Sequence, residues 1–128
     1  AGDLAGERVI FHGHVADDHK HALLARAQLH LMPSAKEGWG IAVIEAAQHA
    51  VPTIGYAAAG GLADSVQHGE TGMLVGTHAE FVAEVAHLLD DAPLRQTLGT
   101  QAQQRAGTYS WAETGRKFTQ FIDSLTRP

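Results

Sequence analysis

The sequence predicts an α/β domain with a parallel sheet and flanking helices, and three observations lead there. Short β-rich runs alternate with amphipathic helical stretches along most of the chain. Turn-forming residues such as Pro33-Ser34, Gly60-Gly61 and the Gly69 to Gly72 stretch separate those runs. A chain of 128 residues with 45% hydrophobic content suffices for one compact core, so residues 1–128 are read as a single unit. No internal repeat or low-complexity linker divides it.

After a polar lead-in over 1–7, Arg8-Val9-Ile10-Phe11 reads as a first short strand ended by Gly13. Asp17 or Asp18 is placed to cap a helix over roughly 18–27, with Leu23, Leu24 and Ala27 on one face. Leu29 to Met32 is a second strand, stopped by Pro33. A loop carrying Glu37 leads to a helix over about 40–49 and a third strand from Val51 to Tyr56, with Pro52 tolerated at its start. Two adjacent glycines make 57–61 a loop, Leu62 to Gln67 a short helix, and 68–72 a turn before a last strand over Met73 to Val75. Helices follow over about 78–89, 92–106 and 111–125, with Asp90 and Asp91 as caps for the second of these. In the last, Phe118, Phe121, Ile122 and Leu125 form an apolar stripe that, with Trp111, is expected to be core.

Composition excludes several classes. A net charge of -5 with nine scattered Lys and Arg argues against nucleic acid as a partner. The absence of cysteine removes disulfides and thiolate metal sites, in keeping with a reducing, cytoplasmic setting. The apolar runs fall short of the ~20 residues a membrane span needs, and no signal-peptide pattern opens the chain. Nine histidines raise a metal reading, chiefly at His12, His14, His19 and His21. With no carboxylate clearly facing them, no metal is expected and loop or surface histidines are the reading.

The most informative stretch runs from Glu37 to Ala47. Two glycines flank Trp39 where the helix would begin, and such a start offers unpaired amides and the positive end of the helix dipole to an anion. Glu45 then interrupts an apolar helix, where an ionised carboxylate is costly unless paired. At about 100° per residue it shares an edge with Ile41 and Gln48. One reading pairs it with Arg26 or Arg8; the other gives it a phosphorylated ligand rich in hydroxyls. Trp39 is either a hydrophobic plug beneath the loop or a platform for a sugar. Ser34 has no evident His and Asp partners, so it is read as a loop hydroxyl. In open parallel sheets ligands bind at the C-terminal strand ends, where the loops 12–17, 33–40 and 57–62 would converge.

The ordered set Glu37-Gly-Trp-Gly-Ile-Ala-Val-Ile-Glu45, Val51-Pro52, Gly60-Gly61 and Gly69-Glu-Thr-Gly72 resembles the C-terminal half of retaining GT-B glycosyltransferases of group 1. Phe11-His-Gly-His-Val15 and Tyr109-Ser-Trp111 agree with it, so the resemblance covers about residues 8–125. It implies an incomplete Rossmann-like C-terminal domain that binds a nucleoside-diphosphate sugar, the donor substrate, with no further cofactor. By resemblance Glu37 is the catalytic-site carboxylate facing the donor sugar. Backbone amides from Gly38, Trp39, Gly40, Ile41 and Ala42 hold sugar hydroxyls and diphosphate. Glu45 takes the ribose hydroxyls, Val15 touches the base through its backbone, and Lys20 matches a position that is basic in some members. No nucleophile is assigned.

The resemblance also implies what this sequence lacks: the acceptor-binding N-terminal domain and the opening strands of the C-terminal one, which bring an Arg and a Lys to the diphosphate. Asp64 stands where Glu is frequent and Ala63 where Pro is. The expectation is a fragment inactive by itself that pairs with the missing polypeptide or self-associates, with any peripheral membrane contact made only through the absent domain. The other functional class is a non-catalytic nucleotide-sugar-binding or interaction domain of the same fold.

Overall fold

In the computed structural model, residues 8–36, 40–109 and 119–125 are described. Their elements are α1 (Asp17–Arg26), β1 (His30–Met32), α2 (Ile41–Gln48), β2 (Thr53–Tyr56), α3 (Leu62–Ser65), β3 (Gly72–Val75), α4 (His78–Asp90) and α5 (Ala92–Ala106). A 3-10 turn, Gly107–Tyr109, follows, and residues 119–125 are helical. The three strands form a parallel sheet in the order β1-β2-β3. Leu31, Ile54 and Met73 lie in one row across it, and Met32, Gly55 and Leu74 in the next.

Alternation along the strands sends successive side chains to opposite faces. On one face Ile54 and Val75 pack with Phe81 and Leu88 of α4 and Leu98 of α5. On the other, Val43 of α2 and Leu62 of α3 meet Ala59 and Val66, with Met32 and Leu74 beside them. Ile54, Leu62, Leu88 and Leu98 are wholly buried, each contributing about 1.5–3 kcal/mol by leaving water. α2 and α5 approach through small residues, Ala47 against Ala102 and Ala106. Gly99 is required at this contact, because a Cβ there would lie 2.1 Å from the Ala50 carbonyl oxygen.

The second strand begins later than Val51. The Val51 amide is committed to Ala46 O at 3.1 Å, closing the end of α2, while Pro52 O accepts from His30 N at 3.0 Å and opens the ladder. The α1 cap is also different. Ala16 occupies the N-cap without a side-chain bond, and Asp17 and Asp18 sit inside the first turn, where their charge faces the helix dipole. Asp91 caps α5 as expected, accepting from Leu94 N at 3.0 Å, whereas Asp90 closes α4.

Two expectations are corrected. Residues 8–11 form no strand, and Ile10 and Phe11 are 69% and 59% exposed. A strand exists only through a neighbour's hydrogen bonds, and among the described residues the sheet offers this run none. The apolar stripe of the last helix is not core either: Phe121, Ile122 and Leu125 are exposed. Phe118 and Trp111 lie outside the described residues.

Candidate functional site

The second helix begins on a left-handed residue. Gly40 is buried at the α2 N-cap with φ 78°, and its carbonyl accepts from Val43 N at 3.0 Å. Gly40 brings no side chain to cap this end, and the first amides of α2, as in any α-helix, have no intrahelical acceptor. Ile41 is 72% exposed and Ala42 half-buried, so the turn stands at the surface. A Cβ on Gly40 would lie 2.9 Å from Ser65 Oγ and 3.2 Å from Leu62 Cδ2. The loop after β1 is therefore packed against the helix that follows the loop after β2.

Glu45 sits one turn further in, its side chain 21% exposed. Lys20 Nζ of α1 lies 2.7 Å from its Oε2, and His21 Nε2 3.6 Å from the same atom. Lys20 also reaches Asp17 Oδ1 at 3.3 Å. The hydrogen bond to Glu45, foremost among the causes, pushes the Lys20 ammonium above its ordinary value. Both nitrogens approach Oε2, and Oε1 has no protein partner among the described residues. The pairing expected with Arg26 or Arg8 gives way to Lys20, because α1 lies against α2 and brings Lys20 over it.

The polar neighbour on the Glu45 edge is His49 of the α2 C-cap, one position beyond Gln48. Its Nε2 lies 2.8 Å from His21 Nδ1. Spacing of four residues from Glu45 was the signal available for it. His30 of β1 was also missed. Its Nδ1 bonds Thr53 Oγ1 at 2.9 Å, and burial pushes its pKa below the ordinary value, against an opposing pull from Glu45. Only its place in a short apolar strand marked it.

Val15 is half-buried just ahead of α1. Exposed His12 packs edge-on against His19 at 5.3 Å between ring centroids. Among the described residues no group of three His, Asp or Glu is arranged to hold a metal. A small, partly open cavity lies elsewhere, beside Val43, Ala47, Ala102 and Ala106, and neither Glu45 nor Lys20 lines it. Glu37, Gly38 and Trp39 lie outside the described residues.

Residues 3–105 match the family model for glycosyl transferases, group 1. The chain belongs to the group 1 glycosyltransferase family. Among curated relatives, D-inositol 3-phosphate glycosyltransferase of Corynebacterium glutamicum is 36% identical over 100 residues, 77% of this chain and 24% of that protein. This group 1 chain thus spans about a quarter of that relative's length. Sucrose-phosphate synthase of Thermosynechococcus elongatus superposes with a TM-score of 0.84 at 29% identity, over 94% of this chain and 31% of that one. Anabaena HepE in complex with UDP-glucose gives 0.81 at 25% identity, over 92% and 33%. The parallel sheet with flanking helices is part of the GT-B fold of these glycosyltransferases. Among the described residues no helix is long and apolar enough to cross a membrane.

Proposed function

We propose that this chain is the donor-binding portion of a retaining glycosyltransferase, which moves a sugar from a nucleoside diphosphate to an acceptor hydroxyl. The carrying observation is that Oε1 of Glu45 has no protein partner among the described residues, on a helix that follows β1 and starts at a glycine N-cap. Lys20 and His21 hold one carboxylate oxygen, and the other is left to accept from two adjacent ribose hydroxyls. Amides of Gly40, Ile41 and Ala42 receive the diphosphate, stabilising it as the anomeric C–O bond breaks. Glu37, with Gly38 and Trp39, faces the donor sugar, and Val15 lies against the base. Lys20 serves the donor indirectly, by fixing Glu45. The UDP-glucose complex of HepE supports a nucleotide sugar as the ligand class.

Given a span of about a quarter of a full-length relative, the acceptor site and part of the phosphate site belong to other residues, and these 128 alone transfer no sugar. The exposed run Val9, Ile10 and Phe11 and the edge residue Leu31 fit docking of that remainder, or a second copy, in the cytoplasm. Calorimetry of the 128-residue chain with UDP, GDP, ADP and their sugars tests the reading. Saturable binding of one of them, weakened at least about tenfold by Glu45→Ala, is expected for loss of a charge-assisted contact. Equal affinity of wild type and Glu45→Ala would refute the ribose role.

A further inference from the structure

The Glu45 carboxylate is backed by an imidazole pair that neither the helix start nor the ligand role explains. His21 Nδ1 and His49 Nε2 are 2.8 Å apart, their rings tilted by 49°, joining α1 to the C-cap of α2. At that distance one proton lies between the two nitrogens. Were it carried by His21, the neutral ring would turn a lone pair at Nε2 towards the Glu45 anion 3.6 Å away. Were it carried by His49, His21 Nε2 keeps its hydrogen on the side of Oε2, 3.6 Å away, an attractive contact beyond hydrogen-bond length. Electrostatics selects the second arrangement.

We propose that His21 and His49 are positioning residues for Glu45: their hydrogen bond sets the ring of His21 so that its Nε2 edge lies 3.6 Å from Oε2, an electrostatic contact that favours Oε1 turning to the nucleotide ribose. The proposal rests on the ribose reading of Glu45. Among the described residues, Glu45 of α2 links the pair to Lys20 of α1, which also meets Asp17, and to His30 of β1, whose pKa lowering it opposes. From α5, Arg105 lines the cavity beside Val43, Ile44 and Ala47. Lys20, 2.7 Å from Oε2, is charged at any physiological pH and supplies the shorter hold, to which the imidazole pair adds a second, directional contact.

The test combines imidazole nitrogen NMR on the ligand-free chain with UDP calorimetry, both at about pH 7.5, where ordinary histidine is neutral. Both rings are expected with hydrogen on Nε2, and Glu45→Gln abolishes the preference at His21. His49→Phe is expected to weaken UDP binding roughly three- to tenfold, the value of one hydrogen bond, while His49→Gln, which can still donate to His21, restores most of it. In a Glu45→Ala background His49→Phe has no further effect. Melting temperatures confirm that each variant is folded. Hydrogen on Nδ1 of His21 in wild type overturns the pairing whether or not UDP binds. Wild-type affinity in His49→Phe, with Glu45→Ala impaired, overturns the positioning role and leaves the ribose reading standing. Unimpaired Glu45→Ala overturns the ribose reading, and the proposal with it.

Discussion

Replacing Gly40 by alanine should separate two costs that the start of α2 combines. The first is backbone: φ is 78°, a left-handed conformation that costs an L-residue about 1–2 kcal/mol. The second is steric, since the new Cβ would stand 2.9 Å from Ser65 Oγ and 3.2 Å from both Leu62 Cδ2 and Val43 Cγ2. Overpacking of this kind costs roughly 1–3 kcal/mol, and rotation of Ser65 offsets part of it. Together Gly40→Ala should lose about 2–4 kcal/mol, a large share of the ~5–15 kcal/mol by which a domain is stable. At about 3–4 °C per kcal/mol for a chain of this size, melting should fall by roughly 6–16 °C. Gly69→Ala is the control: its φ is 77° but nothing lies within 4 Å of the added Cβ, so only the backbone cost remains. Thermal unfolding followed by circular dichroism measures all three proteins, and a Ser65→Ala background should relieve part of the Gly40→Ala loss. If Gly40→Ala melts with Gly69→Ala, then α3 does not support the start of α2 and the convergence of the two loops is wrong.

Two further outcomes follow from burial. The folded state holds His30 below its ordinary value, mainly by desolvation, so folding favours the neutral ring. Its contribution is whole above the unfolded pKa of about 6.5 and is lost as pH falls through the lower folded value. Urea midpoints should therefore decline from about pH 6.5 downward, and His30→Gln should flatten that slope; an unchanged slope would remove His30 as its source. Exposed Ile10 and Phe11, at 69% and 59%, should make the chain self-associate with rising concentration in sedimentation equilibrium. The double variant Ile10→Lys, Phe11→Lys should lower that tendency, and a wild-type monomer at all concentrations would count against a docking role for this run.

Much of the fold was legible because it is written locally. The alternation of short strands with helices, the stop at Pro33, and the caps at Asp91 and Gly40 depend on residues within a turn or two of each other. The same locality marked α2 as the centre of the site, since a carboxylate inside an apolar helix stands out without any coordinates. Where a feature needed a neighbour distant in sequence, local pattern misled. The Val9 to Phe11 run has strand composition but no strand beside it among the described residues. The stripe at Phe121, Ile122 and Leu125 has core periodicity, yet these side chains are exposed.

The sequence by itself marked the candidate residues: a glycine-flanked helix start and one acidic side chain in an apolar helix. Tertiary structure decided how that side chain is held. Lys20 rather than Arg8 or Arg26 meets Glu45, and His49 rather than Gln48 completes the edge by bonding His21. Periodicity fixes the face on which a side chain lies, but the partner it meets is set by how α1 packs against α2.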